Sequence, residues 1–281
     1  MRINHNISAL ITQGALYKTN VSLQTSLERL STGLRINRAS DDAAGLGVSE
    51  NLRTQVLGVA QAQRNAQDGI AALNIAEGAA NEISSILQRM RELAVQASND
   101  TLTSTERSYT HEEFDQLRSE IDRIANVTNY NKQGLISNTG GRFGSTGANV
   151  LWIDANYTIG NDSLTVTIGT LTVASLNASL SSQNLTTQSN AVSAISQIDT
   201  ALNSVNTQRA KIGAYINRLE HAVNNLMVSE TNQQAAESSI RDADFAYETS
   251  NFTKNQILMQ SATAMLSQAN MIPASVLSLL K

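Results

Sequence analysis

The sequence predicts a mainly α-helical protein whose long antiparallel helices form a coiled coil or helical bundle, with a small β-hairpin inserted in mid-chain. Apolar residues recur at alternating spacings of three and four over several long runs, which is typical of packed helices. The chain has one proline in 281 residues, and proline is the strongest breaker of helix interiors. Aromatic residues make up only 4%, so we expect aliphatic seams instead of a core built on rings.

Composition excludes several classes of function. A formal net charge of −4 argues against a nucleic-acid binder, which would need a basic face. No apolar run approaches the roughly 20 residues that span a bilayer, so we expect no membrane insertion. Cysteine is absent, which excludes thiol catalysis, disulfides and cysteine-ligated metals. The start of the chain, MRINHNISAL, lacks an extended apolar segment, and we therefore expect no cleaved signal peptide.

The first helical run ends in an unusual interruption. Its apolar stripes consist of Ile3, Ile7, Leu10 and Tyr17, and of Leu23, Leu27, Leu30 and Leu34. The stretch LSTGLRINRASDDAAGLGVSENLR (30–53) follows, with Gly33, Gly45 and the paired acids Asp41 and Asp42. Ser40 before two acids is typical of an N-cap and first turn, where the helix dipole favours negative charge. We therefore predict a short extended joint over 33–39 between two helices.

Four further helices are predicted after the joint, the last of them from about Phe245. The second runs to about Ser98 and is followed by a capping box, Thr103 to Glu106, that opens the third. Alternating residues in DSLTVTIGTLTV predict a hairpin that turns at 169–170, and the polar stretch after it predicts little structure. A heptad rhythm over 198–226 precedes a second acidic break at Asp242 and Asp244. The seam of the second helix is Ile83, Ile86, Met90, Leu93 and Ala97.

These patterns divide the chain into three parts. Residues 1–40 and 244–281 would be terminal helices, residues 41–137 and 190–243 a long-helix core, and residues 138–189 a short surface-exposed insert. Amphipathic terminal helices are marginal alone, so we expect them to be disordered in a single copy and to order as copies associate. The residues predicted to drive self-assembly are Ile3, Ile7, Leu10, Leu27, Leu30, Leu34, Leu266, Val276, Leu279 and Leu280.

Three segments resemble the signature segments of bacterial flagellin. They are the stretch 30–53 quoted above, LQRMRELAVQASND (87–100) and SNFTKNQILMQSATAMLSQANMIPASVLSLLK (250–281). The resemblance covers about residues 1–135 and 190–281, in the order of the family. It implies a structural subunit of the extracellular flagellar filament, in which terminal helices form an inner coiled coil and the large outer domains of long flagellins are missing. The joint with Gly33, Asp41, Asp42 and Gly45 would link the inner and outer layers.

The resemblance also implies partners. The chain would polymerise with itself, pass through the flagellar type III export apparatus with an export chaperone, and meet the filament cap and hook-junction proteins. It implies no cofactor. The family has a patch read by a Toll-like innate immune receptor, and the matching residues here are Arg89, Leu93 and Glu113. We hypothesise that this recognition is retained.

Simpler interpretations remain open for these residues. Leu93 lies on the predicted core seam, so its pattern alone favours packing over receptor contact. Glu113 lies three residues after Thr110, which is the spacing of a capping box. For the whole chain, the alternatives are a hook–filament junction protein, which shares the terminal helices, and an enzyme embedded in a flagellin framework. The latter is disfavoured because no acid–base or metal constellation is evident.

Overall fold

Helices dominate the structure. The computed structural model describes residues 5–137, 149–156, 158 and 162–278, with side chains as far as Met271. The prediction of a mainly α-helical chain with a small mid-chain hairpin is confirmed. In chain order the elements are α1 (Ile7–Thr32), α2 (Ala43–Ala97), α3 (Ser104–Val127), β1 (Asn129–Tyr130), β2 (Gln133–Gly134), β3 (Asn149–Trp152), β4 (Ser163–Val166), α4 (Val173–Leu176), a 3-10 helix (Ala178–Ser182), α5 (Gln188–Arg241) and α6 (Phe245–Ser278).

The chain divides into two compact units. The terminal unit comprises Met1–Thr54 with Asn232–Lys281, and the core unit comprises Gln55–Thr231. Both boundaries fall inside helices, α2 and α5, since those helices are continuous across them. None of the helices in the described ranges carries an apolar stretch long enough to cross a bilayer.

In the core unit, α2 and α5 run antiparallel. Glu77 accepts a hydrogen bond from Arg209 at 2.8 Å, and Asp199 accepts one from Arg91 at 2.7 Å. Just after the end of α2, the carbonyl of Ser98 accepts a hydrogen bond at 3.2 Å from the side chain of Gln188, the first residue of α5. The partner position on α5 falls as the position on α2 rises, which fixes the antiparallel direction. The predicted direction of the long helices is therefore confirmed.

The third helix folds back onto α2 after a short turn. The predicted capping box is present, with Glu106 N–H donating to the Thr103 hydroxyl and the Glu106 carboxylate accepting the Thr103 N–H. The hydrogen bonds that the Thr103 N–H and then the Thr103 hydroxyl donate to this carboxylate lower the pKa of Glu106. At the same end, Arg107 donates to the carbonyl of Ala97 at 2.9 Å and so binds the last turn of α2.

The core of this unit follows the predicted seam. Ile83, Met90 and Ala97 are fully buried, and Ile86 is 8% exposed. Phe114 and Ile121 of α3 are buried against the same cluster. The buried residues contributed by α5 are Ala191, Ala194, Ile198, Ala201, Val205, Ile212 and Leu219.

The predicted hairpin exists, but its partner strand and turn were wrong. Strand β4 (Ser163–Val166) pairs antiparallel with β3 (Asn149–Trp152), which precedes it in the chain. Gly169 is not a hairpin turn. Its N–H donates to the Gln208 side chain of α5 at 3.0 Å, and the following residues turn into α4. The alternation that predicted β4 was real, but the pattern did not identify which strand it pairs with.

The polar stretch after β4 is more ordered than predicted. It forms α4 and a 3-10 helix, and Asn177 caps the latter by accepting the N–H of Ser179. Asp122 of α3 accepts the N–H of Val173 at 2.9 Å, which holds the segment against the core unit. Several apolar residues of this segment are buried, although their spacing along the sequence does not mark one face of a helix or strand. They are Leu171, Val173, Leu176, Leu180 and Leu185.

In the terminal unit, α1 and α6 run antiparallel. Arg29, near the end of α1, forms an ion pair at 2.9 Å with Glu248, near the start of α6. At the opposite end, the side chain of Asn6 donates to the carbonyl of Ala269 at 2.8 Å. Asn6 also caps α1, because its side chain accepts the N–H of Ala9. The two terminal segments of the sequence therefore form one helix pair.

Candidate assembly interface

The seam between α1 and α6 contains few fully buried side chains. Within the described part of these helices, the only residues that are more than nine-tenths buried are Ser26, Glu248 and Ala269. The half-buried positions that complete the seam are of two kinds. Small or polar residues include Ala9, Thr12, Thr19, Asn251, Asn255 and Ala262, and large apolar residues are Leu16, Leu23, Leu30, Phe252, Met259 and Leu266. Burial of apolar area is the main source of packing stability, and because the large apolar side chains of this seam are only partly buried, it stabilises the pair less than a fully buried core would.

A second set of large apolar side chains lies on the exposed faces of both helices. Each is between 45% and 72% exposed to solvent. We call this set the terminal apolar face, and its members are Ile7, Leu10, Ile11, Tyr17, Val21 and Leu27 of α1 with Phe245, Tyr247, Ile257, Leu258, Met265 and Met271 of α6. Exposed apolar surface of this extent marks an interaction site.

The predicted self-assembly residues divide into three groups. Ile7, Leu10 and Leu27 lie on the terminal apolar face, whereas Leu30, Leu34 and Leu266 are half-buried within the terminal unit. Val276 lies in α6, and Ile3, Leu279 and Leu280 lie outside the described residues. The prediction missed Ile11, Val21 and Met265; the i, i+4 spacing of Ile7 and Ile11 was the available signal for the first.

The two predicted breaks in the chain lie side by side. Gly33 ends α1 with a left-handed conformation, φ 74°, and its N–H donates to the Arg29 carbonyl. Its own carbonyl accepts the N–H of Ala243 at 2.9 Å. Leu34 and Asp242 then form an antiparallel bridge. The joint is therefore a short ladder between two segments of the same chain. The left-handed conformation at position 33 favours glycine, because glycine has no Cβ to clash with the backbone.

The adjacent acids Asp41 and Asp42 accept backbone hydrogen bonds from residues before and after them in the chain, respectively. Asp42 accepts the N–H of Gly45 at 2.8 Å, so Asp42 caps α2 at Ala43, and the prediction of Ser40 as N-cap was wrong. Asp41 accepts the N–H groups of Asn37 and Arg38 at 3.1 and 3.0 Å. These backbone hydrogen bonds, from Arg38 first and then Asn37, lower the pKa of Asp41.

Close packing explains the glycine beside Asp42. A Cβ at Gly45 would lie 2.5 Å from the Asp42 carboxylate oxygen and 2.9 Å from the Ile36 side chain. Ile36 is itself only 1% exposed. Any larger residue would therefore displace either the cap of α2 or the buried side chain of the joint.

Charged side chains add further ties across the joint. The Arg35 guanidinium donates to the Ile240 carbonyl at 2.6 Å, and Arg241 pairs with Glu50 of α2 at 2.7 Å. These contacts join the segments that lead into and out of both breaks.

The residues matched to a receptor patch occupy two different environments. Arg89 donates to Glu113 at 2.9 Å and to Glu92 at 3.0 Å, and both ends of the Arg89–Glu113 pair are about half exposed. The hydrogen bond to Glu113 and then that to Glu92 raise the pKa of Arg89. Leu93 is 1% exposed and belongs to the core. Thr110 lies inside continuous α3, so Glu113 is not its capping partner.

Comparison with known families matches both ends of the chain. The model for the bacterial flagellin N-terminal helical region matches residues 3–141, and the model for the C-terminal helical region matches residues 195–280. The flagellar filament 33 kDa core protein of Treponema phagedenis is 45% identical over 289 aligned positions that cover 100% of both chains. The flagellin of Bacillus subtilis (strain 168) is 43% identical over 304 positions, again with 100% of both covered.

Two solved structures are similar to this chain. Bacillus cereus flagellin is similar at 33% identity with a TM-score of 0.50, covering 62% of this chain and 94% of that one. A putative flagellar hook-associated protein from Vibrio parahaemolyticus has a TM-score of 0.57 at 18% identity, covering 72% of this chain and 100% of that one, a likeness of fold alone.

The helical terminal regions and these matches define a flagellar structural protein. The chain belongs to the bacterial flagellin family. That family consists of structural proteins, so the expectation that the chain is not an enzyme is confirmed and the embedded-enzyme alternative is excluded.

The joint should respond to acid through Asp41. Because its pKa is lower in the folded protein than the ordinary 3.8, ionised Asp41 stabilises the fold fully above that pH, and this stabilisation is lost as pH falls through the lowered pKa. For Asp41→Asn at neutral pH we expect the thermal midpoint to fall by about 2–4 °C, for a lost contact of about 1 kcal/mol. Thermal melts followed by circular dichroism measure this midpoint.

The difference between wild type and Asp41→Asn should shrink as pH falls below 3.8. Glu220→Gln, which removes an exposed carboxylate on α5, serves as the control and should melt like wild type. A difference that stays constant down to strongly acidic pH would contradict the role given to the Asp41 carboxylate.

Proposed function

We propose that this chain is the filament subunit of a bacterial flagellum, the extracellular propeller of swimming motility. The single observation that carries the proposal is the terminal apolar face, which a single copy leaves in water. Family membership supports a filament as the form of assembly. By the same membership, the chain would leave the cell through the flagellar type III apparatus without a cleaved signal, and it would meet an export chaperone, the filament cap and hook-junction proteins.

The energetic contrast between the two units supports assembly through α1 and α6. The core unit has its own buried cluster of leucine, isoleucine, valine and alanine side chains. Among the described residues, the α1–α6 seam has no such buried cluster. The terminal apolar face, however, carries apolar side chains that could form one with further copies. Covering those faces with further copies would contribute about 25 cal/mol per Å² of apolar surface removed from water.

Filament growth tests the proposal directly. Polymer formed at high concentration is sheared into seeds, and elongation by added wild-type protein is followed by light scattering and electron microscopy. We expect filaments of thousands of copies. Leu10→Asp places a charge on the terminal apolar face, where Leu10 is 66% exposed, and should slow elongation by more than about tenfold because a charge buried without a partner is costly.

Leu10→Met is the matched control, since it keeps an apolar side chain of similar size, and it should elongate like wild type. Both variants should retain the melting transition of the core unit. A wild-type protein that never extends its own seeds would contradict the filament proposal and favour the alternative, a hook–filament junction protein, which does not form long homopolymers.

We also infer recognition by a Toll-like innate immune receptor through the exposed pair Arg89–Glu113. The pair joins α2 to α3, and both side chains are about half exposed and therefore accessible in a single copy. Leu93 contributes by supporting α2 from the core, because its side chain is buried.

Single substitutions separate these roles. Arg89→Ala and Glu113→Ala should each weaken reporter signalling by about tenfold with little change in stability, since exposed ion pairs stabilise weakly. Leu93→Ala should instead cost about 2–5 kcal/mol of unfolding free energy. Arg123→Ala, which breaks the exposed pair Arg123–Glu120 on α3, is the control and should signal normally. Full signalling by both Arg89→Ala and Glu113→Ala would contradict the inference.

A further inference from the structure

An open groove lies between α2 and α3 on the surface of the core unit. It measures about 660 Å³, and apolar side chains of the two helices form its floor: Ala79, Ile86, Leu117, Ile124 and Val127. The first four belong to the buried cluster or pack against it, whereas Val127 is 57% exposed. A concave surface with an exposed apolar floor is suited to cover by another protein surface.

The rim of this α2–α3 groove carries a net negative charge. Glu120 on the rim pairs with Arg123 at 2.6 Å, so these two charges largely cancel. Glu82, on the α2 side, is exposed and has no ion-pair partner among the residues that the structure describes. Because the pair Arg89–Glu113 lies about two turns from Glu82 on α2 and about two turns from Glu120 on α3, the two rim carboxylates lie at one level across the groove.

A surface of opposite charge lies on α5 of the same core unit. Lys211, Ala214 and Arg218 follow one another at helical spacings of three and four, and all three are exposed. We call these three residues the α5 ridge. Neither Lys211 nor Arg218 has a carboxylate partner in the described part of the chain. The ridge therefore presents two free positive charges with a small side chain between them, which permits close approach of another helix.

The groove and the ridge lie at different levels along the core unit. Arg209 of α5 pairs with Glu77 of α2, which fixes a common level on these antiparallel helices. From that level Glu82 lies in one direction and both ridge cations lie in the other. At 1.5 Å per residue, the offset from Glu82 is about 10 Å for Lys211 and about 20 Å for Arg218. A second copy that points the same way and places its ridge in the groove is therefore shifted along the helix axis, and such a contact extends into an open helix instead of closing a ring.

We propose that the α2–α3 groove of one copy receives the α5 ridge of a second copy, with Ala214 against the apolar floor and a ridge cation paired with Glu82. The occupant is a second copy because this chain itself carries the surface whose charge is opposite to that of the rim. The inference rests on the filament proposal and deepens it, since it adds a contact between core units to the contact through the terminal apolar face. The groove and the ridge are different surfaces, as a helical polymer requires of each contact between copies.

Charge reversal tests the pairing. Glu82→Lys places like charges across the contact, and so does the double variant Lys211→Glu, Arg218→Glu. These side chains are exposed, so we expect the monomers to melt like wild type. The steady rate of elongation from wild-type seeds should fall by about tenfold or more for both, because like charges across an interface are costly. Glu220→Lys reverses an exposed carboxylate of α5 outside both surfaces and is the matched control, which should elongate normally.

Combining the reversals separates a paired contact from two unrelated effects. The triple variant Glu82→Lys, Lys211→Glu, Arg218→Glu restores opposite charges between copies, with the signs exchanged. Its steady elongation rate should return to within about twofold of wild type, because the two sets of substitutions are coupled if the surfaces meet.

Cysteine crosslinking tests the contact without relying on rates. The chain contains no cysteine, so Glu82→Cys and Ala214→Cys each introduce a single thiol. The two variants are co-assembled with excess wild-type protein and treated with a short bis-maleimide. We expect crosslinked dimers in the polymer and none in the dilute monomers. Glu82→Cys mixed with Glu220→Cys is the control and should stay uncrosslinked.

Several outcomes would overturn the groove contact while the filament function stands. They are elongation of both charge-reversed variants at the wild-type rate, a triple variant that is no faster than Glu82→Lys, and polymer that yields no crosslink between positions 82 and 214. If a charge-reversed monomer melts below wild type, the crosslink decides. If wild-type protein does not extend its seeds, the filament proposal fails and the groove contact with it.

Discussion

The uncovered apolar side chains of α1 and α6 are the constraint on which the rest of the molecule depends. In an ordinary helix pair the largest apolar residues are fully buried against each other. Here polar residues such as Ser26 and Asn251 share the seam with half-buried leucines, while Leu10, Ile11 and Ile257 face solvent. A pair of this kind is only marginally stable by itself. The same arrangement leaves most of the apolar surface available to other copies, so weak internal pairing and strong association have one cause.

The joint fixes the geometry of the chain where the helices are interrupted. The breaks at Gly33 and Asp242 form a ladder, and Asp41, Asp42 and Arg35 satisfy the backbone groups that the broken helices leave open. Such satisfied hydrogen bonds give the break a defined geometry instead of a flexible hinge. Meanwhile the core unit has a continuous aliphatic core that does not depend on the terminal helices. Because the core unit does not need the terminal helices for its own packing, the residues of those helices are free to serve contacts between copies.

Sequence patterns predicted the parts of the fold that depend on local periodicity. The seam around Met90, the capping box at Thr103 and both helix breaks follow from spacing and side-chain chemistry along the chain. The pairing of β4 with β3 could not be predicted, because nothing in an alternating strand identifies its distant partner. Leu180 and Leu185 were overlooked because their burial depends on contacts with the core unit instead of on a helical face of their own.

For the interface, sequence could identify apolar residues but could not say which face they occupy. Leu30 and Leu266 were grouped with Leu10 from composition and spacing, yet they turn toward the seam while Leu10 turns away. The residue that caps α2 is Asp42, two positions after the predicted cap at Ser40. Ser, Asp and Asn can each cap a helix, so only the path of the backbone decides which of them does.

Hydrogen–deuterium exchange along α1 and α6, compared between monomer and polymer, tests most directly whether association completes the packing of these helices. In the monomer we expect their amides to exchange within seconds while those of α2 and α5 in the core unit stay protected, because the α1–α6 seam buries so little apolar surface. In the polymer α1 and α6 should become at least as protected as the core unit. Terminal helices that are already fully protected in a dilute monomer, with no gain on polymerisation, would contradict this.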